Sequence, residues 1–121
     1  FTASITPFES TITHPEAGCN WMGVGGTVLD NKGNPVVGLV IVLGGTLDGK
    51  SVNLVTVSNT APLYGQGGFE FVLGDKPIAS KNTLFVQLLD QASIPLSDRI
   101  FFSTFDDCKK NLTIVRFTQV K

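Results

Sequence analysis

The sequence has 121 residues, of which 42% are hydrophobic and only 16% charged, with a formal net charge of -1. That length suits one domain with its own core, and the hydrophobic content excludes wholesale disorder. The near-neutral balance leaves no electrostatic footprint for nucleic acid or acidic membranes. No membrane span is expected, because the most apolar run, Val36 to Leu43, is under half the required length and contains Gly38.

A soluble domain usually has about a quarter of its residues charged. So thinly charged a surface must be covered by Ser, Thr, Asn, Gln and Gly, or partly by another protein. Val, Ile and Thr together make up roughly a quarter of the chain, which favours strands over helices. Phe1-Thr2-Ala3-Ser4 has no basic start or apolar block, so a secreted form is expected to be a mature or trimmed chain.

Residues 1–18 read as an extended N-terminal arm ahead of a sandwich domain at 19–121. Phe1, Ala3 and Ile5 alternate with Thr2, Ser4 and Thr6. Pro7 interrupts the pattern, as fits an edge strand or a junction, and Phe8, Ser10 and Ile12 resume it on a shifted register. A loop from His14 to Gly18 leads to Cys19.

Trp21 to Leu29 is the first strong strand, and its Gly23, Gly25 and Gly26 suggest a bulge or a close backbone approach. Asp30 to Pro35 has turn chemistry. Leu39 to Leu43 is an uninterrupted, largely β-branched strand, and Asp48-Gly49 signals a tight hairpin into Val52–Val57. A glycine-rich loop with Pro62 and Tyr64 precedes a short strand, Phe69 to Leu73. Strands follow at Thr83–Leu89, Arg99–Ser103 and Leu112–Val120. In the last, apolar residues change face, so either a bulge intervenes or both faces are covered. Seven strong strands, up to two more in the arm, and no convincing helix predict an all-β, antiparallel β-sandwich of seven to nine strands.

Cys19 and Cys108 are the only cysteines. An isolated, distant pair at predicted strand edges suits one disulfide stapling the sheets of an exported protein.

Gly26-Thr27-Val28-Leu29-Asp30-Asn31-Lys32-Gly33-Asn34-Pro35-Val36-Val37-Gly38-Leu39-Val40-Ile41-Val42 resembles the opening of carboxypeptidase-regulatory-like domains, with Ile41 in the last valine place. Gly67-Gly68-Phe69-Glu70-Phe71 resembles the later Gly-x-Phe strand of that family. Cys19 to Val24, Pro77 to Ser80, Gln87 to Asp90 and Thr104 to Cys108 resemble an uncharacterised group of bacterial secreted modules. The resemblance implies a transthyretin-like or immunoglobulin-like sandwich outside the cell. It also implies a non-catalytic accessory, spacer or interaction module with no active site to carry over.

The residues supply little chemistry. His14 is the sole histidine and reads as a solvated loop residue. It offers neither a zinc site with two distant cysteines nor a base for a nucleophilic triad. Asp98, Asp106 and Asp107 could meet at one end, but a small sandwich leaves little room for a glycosidase cleft. Asp30-Asn31-Lys32-Gly33-Asn34 offers oxygens for calcium, but Lys32 occupies a ligand slot and a plain turn is the better reading. No catalytic residue, cofactor or metal is expected. Trp21 is expected to pack on the disulfide, whereas Tyr64 could be exposed to a sugar. Asn111-Leu112-Thr113 is a glycosylation acceptor pattern.

The functional weight therefore falls on Phe1, Ala3, Ile5, Phe8 and Ile12 of the arm. They fit either an edge strand of their own sandwich or strand addition to a neighbouring subunit. The expectation is a non-enzymatic, secreted, cell-surface structural protein whose partners are copies of itself, forming a homopolymer through the arm. The alternative is a glycan- or ligand-binding accessory module of a larger secreted protein.

Overall fold

The computed structural model describes residues 1–120. The strands are β1 (Thr2–Phe8), β2 (Met22–Leu29), β3 (Val40–Leu47), β4 (Lys50–Val57), β5 (Gly68–Gly74), β6 (Ser80–Leu89), β7 (Ile100–Thr104) and β8 (Leu112–Thr118). They form two four-stranded sheets, ordered β1-β8-β2-β5 and β4-β3-β6-β7. The chain is an all-β sandwich, as its pattern of short strands and turns predicts. One pairing departs from the expectation of antiparallel strands: β2 and β8 run parallel, so the first sheet is mixed.

Strand alternation decides which side chains meet between the sheets. Met22, Val24, Val28, Phe69, Phe71, Val115 and Phe117 of the first sheet face Ile41, Leu43, Leu84, Val86, Leu88 and Phe102 of the second, and all are buried. β8 settles the ambiguity in its apolar pattern without a bulge. Thr113, Val115 and Phe117 point inward, while Leu112, on the outer face, is only 1% exposed because that face is covered too.

The turns follow their residues. Asp48 and Gly49 both have positive φ, 53° and 76°, and join β3 to β4 in the two-residue hairpin their dipeptide predicts. After β2, the Asp30 Oδ1 accepts from the backbone N–H groups of Lys32 and Asn34. Those N–H groups, Asn34's first, hold the Asp30 carboxyl below its ordinary value. After β6 the arrangement recurs: Asp90 Oδ1 accepts from Ala92 and Ile94. Leu29 bridges Pro35 as Leu89 bridges Pro95, and Gly33 and Ser93 take the positive φ. Asp30 Oδ1 thus serves its own turn, as the plain-turn reading of this stretch expects.

The segment 1–18 is built into the body. β1 pairs along its whole length with β8, from Thr2↔Thr118 to Phe8↔Leu112. Phe1, Ala3 and Ile5 pack against the core. The expected extension through Ile12 stops at Phe8, and Ser10–Ile12 forms a 3-10 turn. The reason is Ser10, which is fully buried and tied by its own N–H to the Asn111 side chain. Phe8 and Ile12 consequently lie on the outer side, 40% and 69% exposed.

Candidate functional site: the arm and its anchors

The outer face of the first sheet has a floor without side chains. Gly23 and Gly25 of β2 point outward, opposite Val72 and Glu70 of β5. A Cβ at Gly23 would overlap the Trp21 ring, and one at Gly25 would overlap the Tyr64 ring. The strand glycines are therefore seats for two aromatic rings, a close approach that only glycine permits.

The segment after the 3-10 turn lies across this floor. His14 stacks on Trp21, with ring centroids 4.6 Å apart. Its Nε2–H donates to Glu70 Oε2 at 2.7 Å, and Tyr64 Oη–H donates to the same oxygen at 2.8 Å. His14 Nδ1 lies 3.5 Å from the exposed Glu16. This corrects the reading of His14 as a solvated residue: its side chain is only 17% exposed. Trp21 is 8% exposed and has His14 as its stacking partner. Tyr64 is likewise not a free sugar platform, because its ring covers Gly25 and its hydroxyl is engaged.

Two donors converging on one carboxylate oxygen make a clasp, not a reactive pair. Burial, opposed in part by Thr13 and reinforced by Glu70, pushes the Tyr64 hydroxyl well above the ordinary 10.0. A group whose value rises on folding contributes stability below its unfolded value and loses it as pH climbs past that value. We expect the unfolding midpoint to fall above about pH 10. In Tyr64→Phe that alkaline decline should be shallower. Urea titrations across that range check this; identical slopes would refute it.

Asn111 is the second anchor. Its Oδ1 accepts the Ser10 N–H at 2.8 Å, and its Nδ2 donates to Ser10 Oγ at 2.8 Å and to the Trp21 carbonyl at 2.9 Å. The residue is 1% exposed. The acceptor pattern at Asn111 is therefore closed in the folded chain: both amide hydrogens are used, and a glycan would have to occupy the protein interior. Sequence reading saw the tripeptide and missed the role, since nothing local reveals a partner 101 residues away.

The third anchor is the Cys19–Cys108 disulfide, with Cα atoms 5.2 Å apart. It ties the approach to β2 to the turn before β8, two neighbouring strands of one sheet. That differs from the expected staple between sheets. Among the described residues no helix is long and apolar enough to cross a membrane.

Together these contacts divide the arm. From Ser10 to Cys19 it is held by a buried amide, a clasp and a covalent bond. From Phe1 to Phe8 it is held by one ladder, three inward side chains and the N-terminal ammonium, which donates to the Leu96 carbonyl at 3.2 Å. Glu9, in extended conformation, joins the two parts. Beside the junction, Phe8, Ile12, Leu63, Tyr64, Leu112 and Ile114 line an open apolar groove of about 230 Å³. No known protein family, curated protein or solved structure matches the chain.

Proposed function

We propose that the chain is a non-enzymatic, extracellular structural subunit that assembles with copies of itself, β1 of each copy adding to β8 of a neighbour. The observation that carries this reading is the division of the arm at Glu9. β1 is a single edge strand outside the locked region, and the slot it fills on β8 is the same whether its own β1 or a neighbour's occupies it. Exchange of identical contacts costs little intrinsically, so concentration decides between the closed and the exchanged form. A head-to-tail exchange that does not close yields a filament. The disulfide suits an oxidising, exported setting. The thinly charged surface suits assembly, and the resemblance to secreted, non-catalytic sandwich modules points the same way.

Ser4 and Arg116 are register partners across the β1–β8 ladder. In a Ser4→Cys/Arg116→Cys chain, oxidation of concentrated protein should give a ladder of covalent multimers on a non-reducing gel. Single-cysteine controls should stop at dimers. Monomer-sized product alone, with the pair fully oxidised, would show β1 bound only within its own chain and would overturn the proposal.

A further inference from the structure

The two sheets have four edge strands: β1, β5, β4 and β7. An open edge is a template for pairing, and natural sheets protect theirs with proline, charge, bulges or shortness. Three of these edges are protected. β1 carries Pro7. The register of β5 with β2 shifts at Met22/Gly23. β7 has five residues and an irregular pairing with β6. β4 is different. It runs for eight residues, Lys50–Val57, with an unbroken register to β3 and without proline or bulge, and its one charge is at the turn end.

The direction of its amides follows from its ladder. Ser58 N–H donates to the Leu39 carbonyl, so position 58 faces β3, and alternation places 56, 54, 52 and 50 there as well. The amides of Ser51, Asn53, Val55 and Val57 therefore point outward. The Val57 carbonyl already accepts from the Thr60 hydroxyl at 2.6 Å, which blocks that end. Ser51, Asn53 and Val55 are left as the bare stretch. On the core side, Val52 and Leu54 are only partly buried, as a strand lacking a neighbour leaves them.

We infer that this edge pairs with β4 of a second copy, antiparallel about a two-fold axis at Asn53. The strand is complementary to itself in that register alone. Asn53 faces Asn53, and Ser51 faces Val55, which uses every unblocked amide. On the core side Val52 meets Leu54 of the second copy, covering two half-exposed apolar side chains. Lys50 faces Thr56, so no like charges oppose; a parallel, in-register pairing would set lysine against lysine. Twofold self-pairing is the closed, isologous kind of contact. One eight-residue strand pair buries less than the roughly 1,200 Å² of a lasting interface, so the dimer forms and dissociates with concentration. This contact uses no part of β1 and stands apart from arm exchange.

The native cysteines are paired, so a single new cysteine reports cleanly. Residues in a hydrogen-bonded antiparallel pair lie about 5.5 Å apart at Cα, within disulfide reach. Asn53→Cys should form covalent dimers on mild oxidation at least about tenfold faster than Asn31→Cys, an exposed site in the turn after β2. In sedimentation equilibrium the unaltered chain should show a concentration-dependent dimer. Asn53→Pro, which removes an outward N–H and no ladder bond to β3, should raise its dissociation constant at least about tenfold with the unfolding transition unchanged. If Asn53→Pro does not fold, Val55→Lys is read in its place, since that side chain is on the solvent side and 64% exposed. Equal oxidation rates at the two cysteine sites, or variants that sediment as the unaltered chain does, would overturn the inference. The Ser4/Arg116 cross-links are scored on separate samples, so either contact can fail alone.

Discussion

Replacing Cys19 and Cys108 together by serine is expected to lower the unfolding free energy by about 4 kcal/mol, a large share of the roughly 5 to 15 kcal/mol by which a domain is stable. The bond spans 89 residues, nearly three-quarters of the chain, and closing so long a loop lowers the entropy of the unfolded chain. Both cysteines lie at the surface, so serine hydroxyls there meet water and add no buried polar cost. The effect should therefore appear as a lower urea midpoint with little change in the core's near-UV signal at low denaturant. The first region to loosen should be the approach to β2 and the turn before β8, read as faster amide exchange there. A loss under about 1 kcal/mol would contradict this loop-closure account and mean that the unfolded chain stays restrained without the bond.

Asn111→Ala is expected to cost about 2 to 4 kcal/mol, because it leaves the buried Ser10 N–H and the Trp21 carbonyl without their partner. It also removes the acceptor and donor that fix Ser10 Oγ and the 3-10 turn. Asn111→Asp keeps the acceptor but buries a charge beside a carbonyl, so it should be no better than alanine near neutral pH. Equilibrium unfolding measures the loss. Hydrogen exchange should show it concentrated in residues 9–21 and the start of β8. A loss confined to β1 would contradict the division of the arm at Glu9.

Several elements were legible because their signals are local. The Asp48-Gly49 hairpin needs two positive φ values, and the dipeptide names a residue pair that tolerates them. The alternation of Leu84, Val86 and Leu88 in β6 reports one buried face directly, whereas the apolar residues of β8 fall on both faces. The repeat of Leu-Asp and a proline after β2 and β6 was present in the letters, but only the matching hydrogen bonds give the two turns one meaning. Phe8 and Ile12 misled because their alternation continued past Pro7, while the backbone left the strand at the point where Ser10 entered the interior.

The candidate site was far less legible. His14, Trp21, Tyr64 and Glu70 come from four separate segments, and none carries a motif. Gly23 and Gly25 offered the one usable sign, since two outward glycines in a strand imply that something lies close above them. What lies there is set by the sheet order, which places β5 beside β2 and the arm above both.

The sequence by itself determined the strands, the tight turns, the single disulfide and the thin surface charge, because each depends on neighbouring residues or on totals. Tertiary structure alone decided the parallel β2–β8 pairing, the burial of Asn111, the clasp at Glu70 and the contrast between three guarded edges and one bare one. Those features depend on which distant segments become neighbours, and that choice is made by the packing of the whole core between two sheets, which no short stretch of residues contains.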